Sequence, residues 1–187
     1  MRICFSSSVV WLTVKGVDNL IRAMPSILGD FPNTKLLILG IGDMKNQLRS
    51  LVNELELKEK VILRTEFVSE EERILHYAAA DIVVLPSLYE PFGIVCTEAM
   101  SMAKPVVVGA RGTNGMREQI VTSGDEQCGI HINPFDPDDI AWGVKQILES
   151  EDRSILMAKK ARERVIEQFS WDVVTDRTLE IYKEFIK

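Results

Sequence analysis

Short apolar runs alternate with longer amphipathic segments along nearly the whole chain, and this alternation limits the fold more than any other feature. Ile3-Cys4-Phe5 opens the series, and Val17, Leu20, Ile21, Met24 and Leu28 then recur at helical spacing across residues 16–29. Residues 35–39 form a second β-rich run, closed by Gly40-Ile41-Gly42. Met44, Leu48, Leu51, Val52 and Leu55 follow as the stripe of another helix. Val61-Ile62-Leu63 is a third short strand, and Ser69 with Glu72 three residues on makes a capping box before Ile74, Leu75 and the alanines up to Asp81. Ile82–Leu85 is a strand stopped by Pro86, and an irregular stretch to Pro91 leads into a helix over residues 95–102 and a strand over 105–108. Gly109, Gly112 and Gly115 mark a loop, residues 116–122 predict a short helix, and Gly129–Ile132 a weak strand. Asp136-Pro137 opens a helix reaching Leu148, and residues 153–168 and 171–185 are helical. Strands and helices alternating at this length require a mostly parallel sheet covered on both faces through right-handed crossovers. The expected fold is therefore α/β, a Rossmann-like three-layer α/β/α sandwich of about six strands.

The 187 residues suit one domain with a real core. Hydrophobic residues make up 46% and charged residues 27%, which excludes a disordered or collagen-like chain. Twenty-two basic against 28 acidic side chains give a net charge of −6, with no strongly basic half and no aromatic residues interleaved among basic clusters, so nucleic acid is not expected as a partner. Cys4, Cys96 and Cys128 are odd in number and lie outside any C-x-x-C spacing. A disulfide framework and a cysteine zinc site are thus both disfavoured, and a reducing, cytoplasmic setting fits best. No cleavable leader pattern and no membrane-spanning run is evident.

In an open parallel sheet, ligands sit beyond the carboxyl ends of the strands. The informative segments that fall there are a predicted loop over residues 6–15, Gly40-Ile41-Gly42-Asp43, residues 64–67, 87–98 and 109–118. Gly40-Ile41-Gly42 either packs a tight turn or lets a helix amino terminus approach a ligand; it lacks the third glycine of a dinucleotide fingerprint, and Asp43 is a natural helix cap. Lys15, beside Gly16 at a helix start, could reach an anion over free N–H groups or be a solvated surface lysine. Glu90 and Glu98 lie eight positions apart, one in a loop and one at a helix start. A carboxylate accepts two hydroxyl hydrogen bonds, so such a pair could hold vicinal hydroxyls of a sugar or ribose; the plainer alternatives are a loop-surface acid and a helix-terminal acid. Neither His76 nor His131 reads as catalytic, and no His, Cys, Asp or Glu grouping has metal-ligand spacing.

The stretch from Pro86 through Glu98 resembles the P-S-x-x-E-x-F-G-x-x-x-x-E segment of the large retaining glycosyltransferase family that includes glycogen synthases, sucrose synthases and mannosyltransferases. Nearly the whole chain shares the resemblance. Val17-Asp18-Asn19-Leu20, Leu37-Ile38-Leu39-Gly40-Ile41-Gly42, Tyr77-Ala78-Ala79-Ala80-Asp81, Lys104-Pro105-Val106-Val107 and Phe169-Ser170-Trp171 follow in the family's order. The resemblance implies the carboxyl-terminal, donor-binding half of a GT-B enzyme, spanning residues 1–187, with an amino-terminal acceptor-binding domain absent from this chain. It implies a nucleotide-diphosphate sugar (GDP, UDP or ADP) as donor substrate, no metal or other cofactor, and any peripheral membrane association through the absent domain. By position, Lys15 would neutralise the donor diphosphate, Glu90 would sit at the transferred sugar, and Glu98 would bind the ribose hydroxyls. Phe92 and Gly93 would shape the sugar pocket, Ile94 and Val95 would present backbone and apolar surface to the nucleotide, and Gly42 and Ser8 would line the donor. Arg64 would either touch the nucleoside or stand solvated. Glu118 would support a helix.

Departures from the family pattern accompany these matches. Ser7-Ser8 replaces the usual Gly-Arg, removing an arginine that would share the diphosphate charge. Glu66 stands where glycine is common, Ala103 replaces the glycine before Lys-Pro, and Asn114-Gly115 replaces Gly-Gly. Two other readings therefore stand beside a hexosyltransferase: a nucleotide-sugar binding or regulatory module without turnover, and a GT-B sugar-nucleotide epimerase. The isolated domain is expected to be inactive alone. Trp171, Val174, Leu179, Tyr182 and Phe185 have the pattern of a core stripe more than of a partner site, although in relatives the last helix also helps connect the two domains, and without that domain an exposed apolar remnant is also expected.

Overall fold

A computed structural model of the chain describes the backbone of residues 2–10 and all of residues 15–186. Six strands form one sheet: β1 (Arg2–Val10), β2 (Thr34–Ile41), β3 (Val61–Arg64), β4 (Ile82–Leu85), β5 (Val106–Gly109) and β6 (Gly129–Ile132). Their order is β3-β2-β1-β4-β5-β6, with every pairing parallel. Among the described residues, eight helices accompany them: α1 (Val17–Asp30), α2 (Lys45–Glu54), α3 (Glu70–Ala79), α4 (Ile94–Ser101), α5 (Met116–Gln119), α6 (Pro137–Leu148), α7 (Glu151–Phe169) and α8 (Trp171–Phe185).

The continuous apolar runs of β4 and β5 follow from burial on both faces, since alternate side chains feed separate cores. Ile82, Val84 and Val107 pack with Leu20, Ile21 and Met24 of α1, Leu48 of α2 and Val144 of α6. Val83, Leu85, Val106 and Val108 pack on the opposite face with Tyr77 of α3, Met100 of α4, Met116 of α5 and Val165 of α7. Residue spacing thus produces the three layers expected from the sequence. The strand order also fixes a crevice. β1 leads through α1 to β2 on one side, while its neighbour β4 leads through α4 to β5 on the other, so the chain diverges at the carboxyl ends of β1 and β4, the switch point where ligands bind in open α/β sheets.

Several local expectations need correction. The segment read as a loop from residue 6 is strand as far as Val10, because the β2 ladder continues, with Ser6 opposite Ile38 and Ser7 opposite Leu39. Residues 11–14 of that segment lie outside the described residues. Asp43 does not cap α2: the helix begins after Met44 with no side-chain cap bond. The short helix after Gly115 stops at Gln119 because Ile120 turns extended, and the Val121 N–H then donates to the Cys128 sulfur while the Cys128 N–H donates to the Val121 carbonyl. The stripe on α8 is not core. No α8 residue is buried, and Trp171, Tyr182 and Phe185 are exposed, because α8 packs at the end of α7 and leaves the sheet uncovered by it.

One substitution leaves visible strain. Ala103, just past α4, has φ +52°, the left-handed conformation that glycine adopts without penalty. Ala103→Gly is expected to raise stability by about 0.5–1 kcal/mol, the left-handed cost less the added freedom of the unfolded chain, measured as an upward shift in the urea midpoint at unchanged slope.

Candidate functional site

At the switch point Lys15 and Glu90 meet. Lys15 lies beyond the end of β1, immediately before α1, and Glu90 lies in the loop after β4; Lys15 Nζ donates to Glu90 Oε2 at 2.6 Å, with side chains 26% and 14% exposed. The pair stands at the amino end of α1, where Gly16 has φ +62° and a Cβ would lie 2.2 Å from the Pro86 carbonyl oxygen. Only glycine lets the start of α1 press this closely on the exit of β4.

The loop carrying Glu90 is fastened by main-chain bonds. The Glu90 N–H donates to the Thr113 carbonyl at 3.1 Å, and the Gly115 N–H donates to the Glu90 carbonyl at 2.7 Å. Asn114, which is buried, completes the brace: its Nδ2 donates to the Ser87 carbonyl at 2.7 Å, and its Oδ1 accepts from the Met116 N–H at 3.2 Å. The Glu90 and Asn114 backbones thereby form an isolated parallel bridge outside the six strands. Gly93 then turns the chain into α4 at φ +88°, where a Cβ would meet the Met116 side chain at 2.4 Å. Ile94 is exposed at the helix start, Val95 is half-buried, and the Phe92 ring packs edge-on to Phe169 with centroids 6.2 Å apart.

Helix starts differ in their caps, and α2 and α5, like the two helices at the crevice, have no side-chain cap bond. α3 and α6, which follow the outer strands β3 and β6, are capped by the side chains of Ser69 and Asp136. α1 and α4, which follow β1 and β4, have glycine at the cap position and no side-chain cap bond. Their first N–H groups are therefore left for water or a ligand, and an anion beside them would interact favourably with the helix ends.

Glu98 lies in the second turn of α4, where Oε2 accepts from the Tyr77 hydroxyl at 3.0 Å and Oε1 faces Arg73 Nη2 at 3.1 Å. These contacts from α3 fix the carboxylate, and each oxygen keeps a further lone pair for a hydroxyl. Among the described residues, no hydrogen bond or ion pair joins Glu98 to Lys15 or Glu90. Arg64, at the end of β3, does not stand solvated and alone: Nε donates to Glu66 Oε1 at 2.5 Å and Nη2 to Glu72 Oε1 at 2.8 Å. The bond from Arg64 holds the Glu66 carboxyl below its ordinary range, so the residue that departs from the family pattern partly neutralises this arginine. Gly42 is exposed in the bend after β2. Ser8 lies on β1, and its side chain is outside the described residues. Glu118 is exposed on α5, and its carbonyl accepts from Arg164 Nη2 at 3.1 Å.

Burial pushes the Cys96 and Cys128 thiols up, leaving little thiolate for nucleophilic chemistry. Burial also lowers His131, whose Nε2 lies 3.0 Å from the Arg117 carbonyl. A groove of about 590 Å³ along α7, lined by Ala103, Ile155, Ala158 and Ile166 among others, shares no residue with the crevice. Sequence reasoning missed Asn114, Gln119, Arg73 and Tyr77 as parts of the site's framework. The one visible signal was Asn114 standing where a glycine is usual.

Comparison with known proteins bears on the family and the fold. The chain matches the family model described as glycosyl transferases group 1 over residues 3–166. It is 42% identical over 169 residues to an uncharacterized glycosyltransferase of Methanocaldococcus jannaschii, covering 90% of this chain and 42% of that protein. It is 30% identical over 174 residues to a GDP-mannose-dependent monoacylated alpha-(1-6)-phosphatidylinositol monomannoside mannosyltransferase of Corynebacterium glutamicum, covering 89% of this chain and 43% of that protein. Among solved structures, sucrose-phosphate synthase from Thermosynechococcus elongatus superposes with a TM-score of 0.85 at 27% identity, over 99% of this chain and 45% of that one. The chain thus spans less than half the length of each of these three proteins. With the fold of a GT-B carboxyl-terminal domain and a family match along most of its length, the chain belongs to the glycosyl transferases group 1 family.

Proposed function

We propose that this chain binds the donor of a glycosyl transfer, a nucleotide-diphosphate sugar, in the crevice between β1 and β4, and that with an acceptor-binding domain it transfers the sugar with retention at the anomeric carbon. The observation that carries the reading is the Lys15–Glu90 pair, a cation and a carboxylate 2.6 Å apart at the switch point, beside two helix starts without side-chain caps. Lys15 with the first N–H groups of α1 and α4 offers charge and donors to a diphosphate, whose negative charge grows as the sugar departs. Glu90, once Lys15 turns to the phosphates, is free to accept hydroxyl bonds from the sugar. Glu98, fixed from α3, holds the ribose hydroxyls, and Phe92 with Gly93 forms the sugar-side wall. The GDP-mannose dependence of the Corynebacterium glutamicum relative supports a nucleotide-sugar donor; the base and the sugar are part of the proposal only as a class.

Glu98→Ala tests the ribose assignment. Hydrogen bonds to charged groups contribute about 1.5–3 kcal/mol each, so nucleoside diphosphate affinity is expected to fall roughly 10- to 100-fold in calorimetric titration while inorganic pyrophosphate binding is kept. Unchanged nucleoside diphosphate affinity in a folded variant would contradict the assignment. Ser7-Ser8 in place of Gly-Arg favours a second reading, donor binding without turnover. Donor binding with no transfer by the chain joined to an acceptor-binding domain would support that reading over the first.

A further inference from the structure

The geometry points to Gln119 as a positioning residue that sets the turn of residues 90–93, and through it the start of α4, for donor binding. This rests on the donor-site reading above. Gln119 is 1% exposed, and its Nε2 donates to the Phe92 carbonyl at 2.6 Å, one residue before Gly93 turns the chain into α4. Its other amide atom, Oε1, is buried with no hydrogen-bond partner among the described residues. A buried, unpartnered carbonyl oxygen is destabilising, and an apolar side chain of the same shape would fill this space without that penalty. The amide is therefore explained by the one bond it makes, to the backbone of the donor loop.

Gln119 is itself held from behind. α5 has four residues, too few to persist as a helix without outside support. Arg164 of α7 supplies that support, with Nε donating to the Gln119 carbonyl at 2.6 Å and Nη2 to the Glu118 carbonyl at 3.1 Å. The Arg164 guanidinium lies 5.9 Å from the centre of the Phe169 ring, and Phe169 meets Phe92 edge-on. Phe92 is thus held twice, by its carbonyl through Gln119 and by its ring through Phe169, both linked to α7. Releasing the carbonyl would leave the ring contact in place and free the peptide that sets the direction of the α4 N–H groups. Displacement of ligand-facing groups by an ångström is enough to cost a large factor in binding or rate.

Gln119→Met keeps the shape, removes the donor and removes the unpartnered oxygen. Titration of the full chain with UDP, GDP and ADP separately is expected to show about a tenfold weaker affinity for whichever the unaltered chain binds, with a melting temperature within about 3 °C of the original. The Gly93 amide resonance, adjoining the released carbonyl, is expected to shift while amides of β5 stay put. Equal affinity in the variant overturns the inference, and so does a fall in melting temperature of more than about 5 °C with a proportionate loss of binding, which would make the amide a general structural bond. Should Gln119→Met not fold, Arg164→Met loosens α5 from behind while keeping the amide; its affinity is expected to fall similarly, and an unchanged affinity overturns the inference. If the unaltered chain binds none of the three nucleotides, the donor-site reading fails first and this inference with it.

Discussion

Lys15→Met is expected to weaken nucleoside diphosphate binding about 10- to 100-fold. Two causes act in the same direction. The variant loses a charge-assisted bond to the phosphates, and it leaves Glu90, with its side chain only 14% exposed, as an uncompensated anion facing them. The second cause can be separated from the first. Glu90→Gln alone frees Lys15 from its partner and is expected to raise affinity for the bare nucleoside diphosphate a few-fold, since the ligand no longer competes with the carboxylate. Adding Glu90→Gln to Lys15→Met should recover part of the lost affinity. Calorimetric titration of the four proteins checks this, and purely additive changes would show that the two side chains do not act on the ligand as a pair.

The largest stability effect is expected at Gly16. Alanine there must adopt φ +62° and place its Cβ 2.2 Å from the Pro86 carbonyl oxygen, a backbone atom that cannot swing aside. Left-handed strain of about 1–2 kcal/mol adds to the clash, and the combined loss should reach about 3 kcal/mol or more, read as a fall in the urea midpoint. Gly29→Ala is the control within the same helix. A Cβ at Gly29 meets nothing within 4 Å, so that variant should gain up to about 1 kcal/mol from helix propensity. A Gly16→Ala protein as stable as the parent would mean that α1 does not press on the exit of β4 as described.

The sheet was legible because its strands are buried in ways that show in a sequence. Ile82-Val83-Val84-Leu85 and Val106-Val107-Val108 are apolar at every position because alternate side chains enter opposite cores, so both strands stand out with correct bounds within a residue. Helix starts at Ser69 and Asp136 were readable for a local reason, since each cap is satisfied within its own first turn. The far end of β1 was not readable. Ser6-Ser7-Ser8 has the composition of a loop, and its strand conformation comes from the β2 ladder, a partner about thirty positions away. α8 misled for a related reason: its apolar stripe has the spacing of a core helix, but spacing cannot say whether anything covers it.

The candidate site divides along the same line. Lys15, Glu90 and Gly93 were named from the sequence, and the fold brings Lys15 and Glu90 into contact across 75 positions. Arg64 was named as a nucleoside contact or a solvated side chain, and its two glutamate partners came to light only in the structure. Of the braces, Asn114 showed only as a residue standing where glycine is usual, and Gln119 not at all. Asn114 and Gln119, both after β5 in the chain, bond the main-chain carbonyls of Ser87 and Phe92, and a backbone carbonyl leaves no mark in the sequence of the residue that bonds it.

A nucleoside diphosphate is expected to bind in the crevice between β1 and β4. Titration of the isotope-labelled chain with UDP, GDP and ADP, followed through backbone amide resonances, tests it most directly. Saturable binding of at least one of the three is expected, with the largest shifts at residues 15–17, 87–98 and 113–116. No binding of any of them at millimolar concentration, or shifts centred on the α7 groove and away from Lys15 and Glu90, would contradict it.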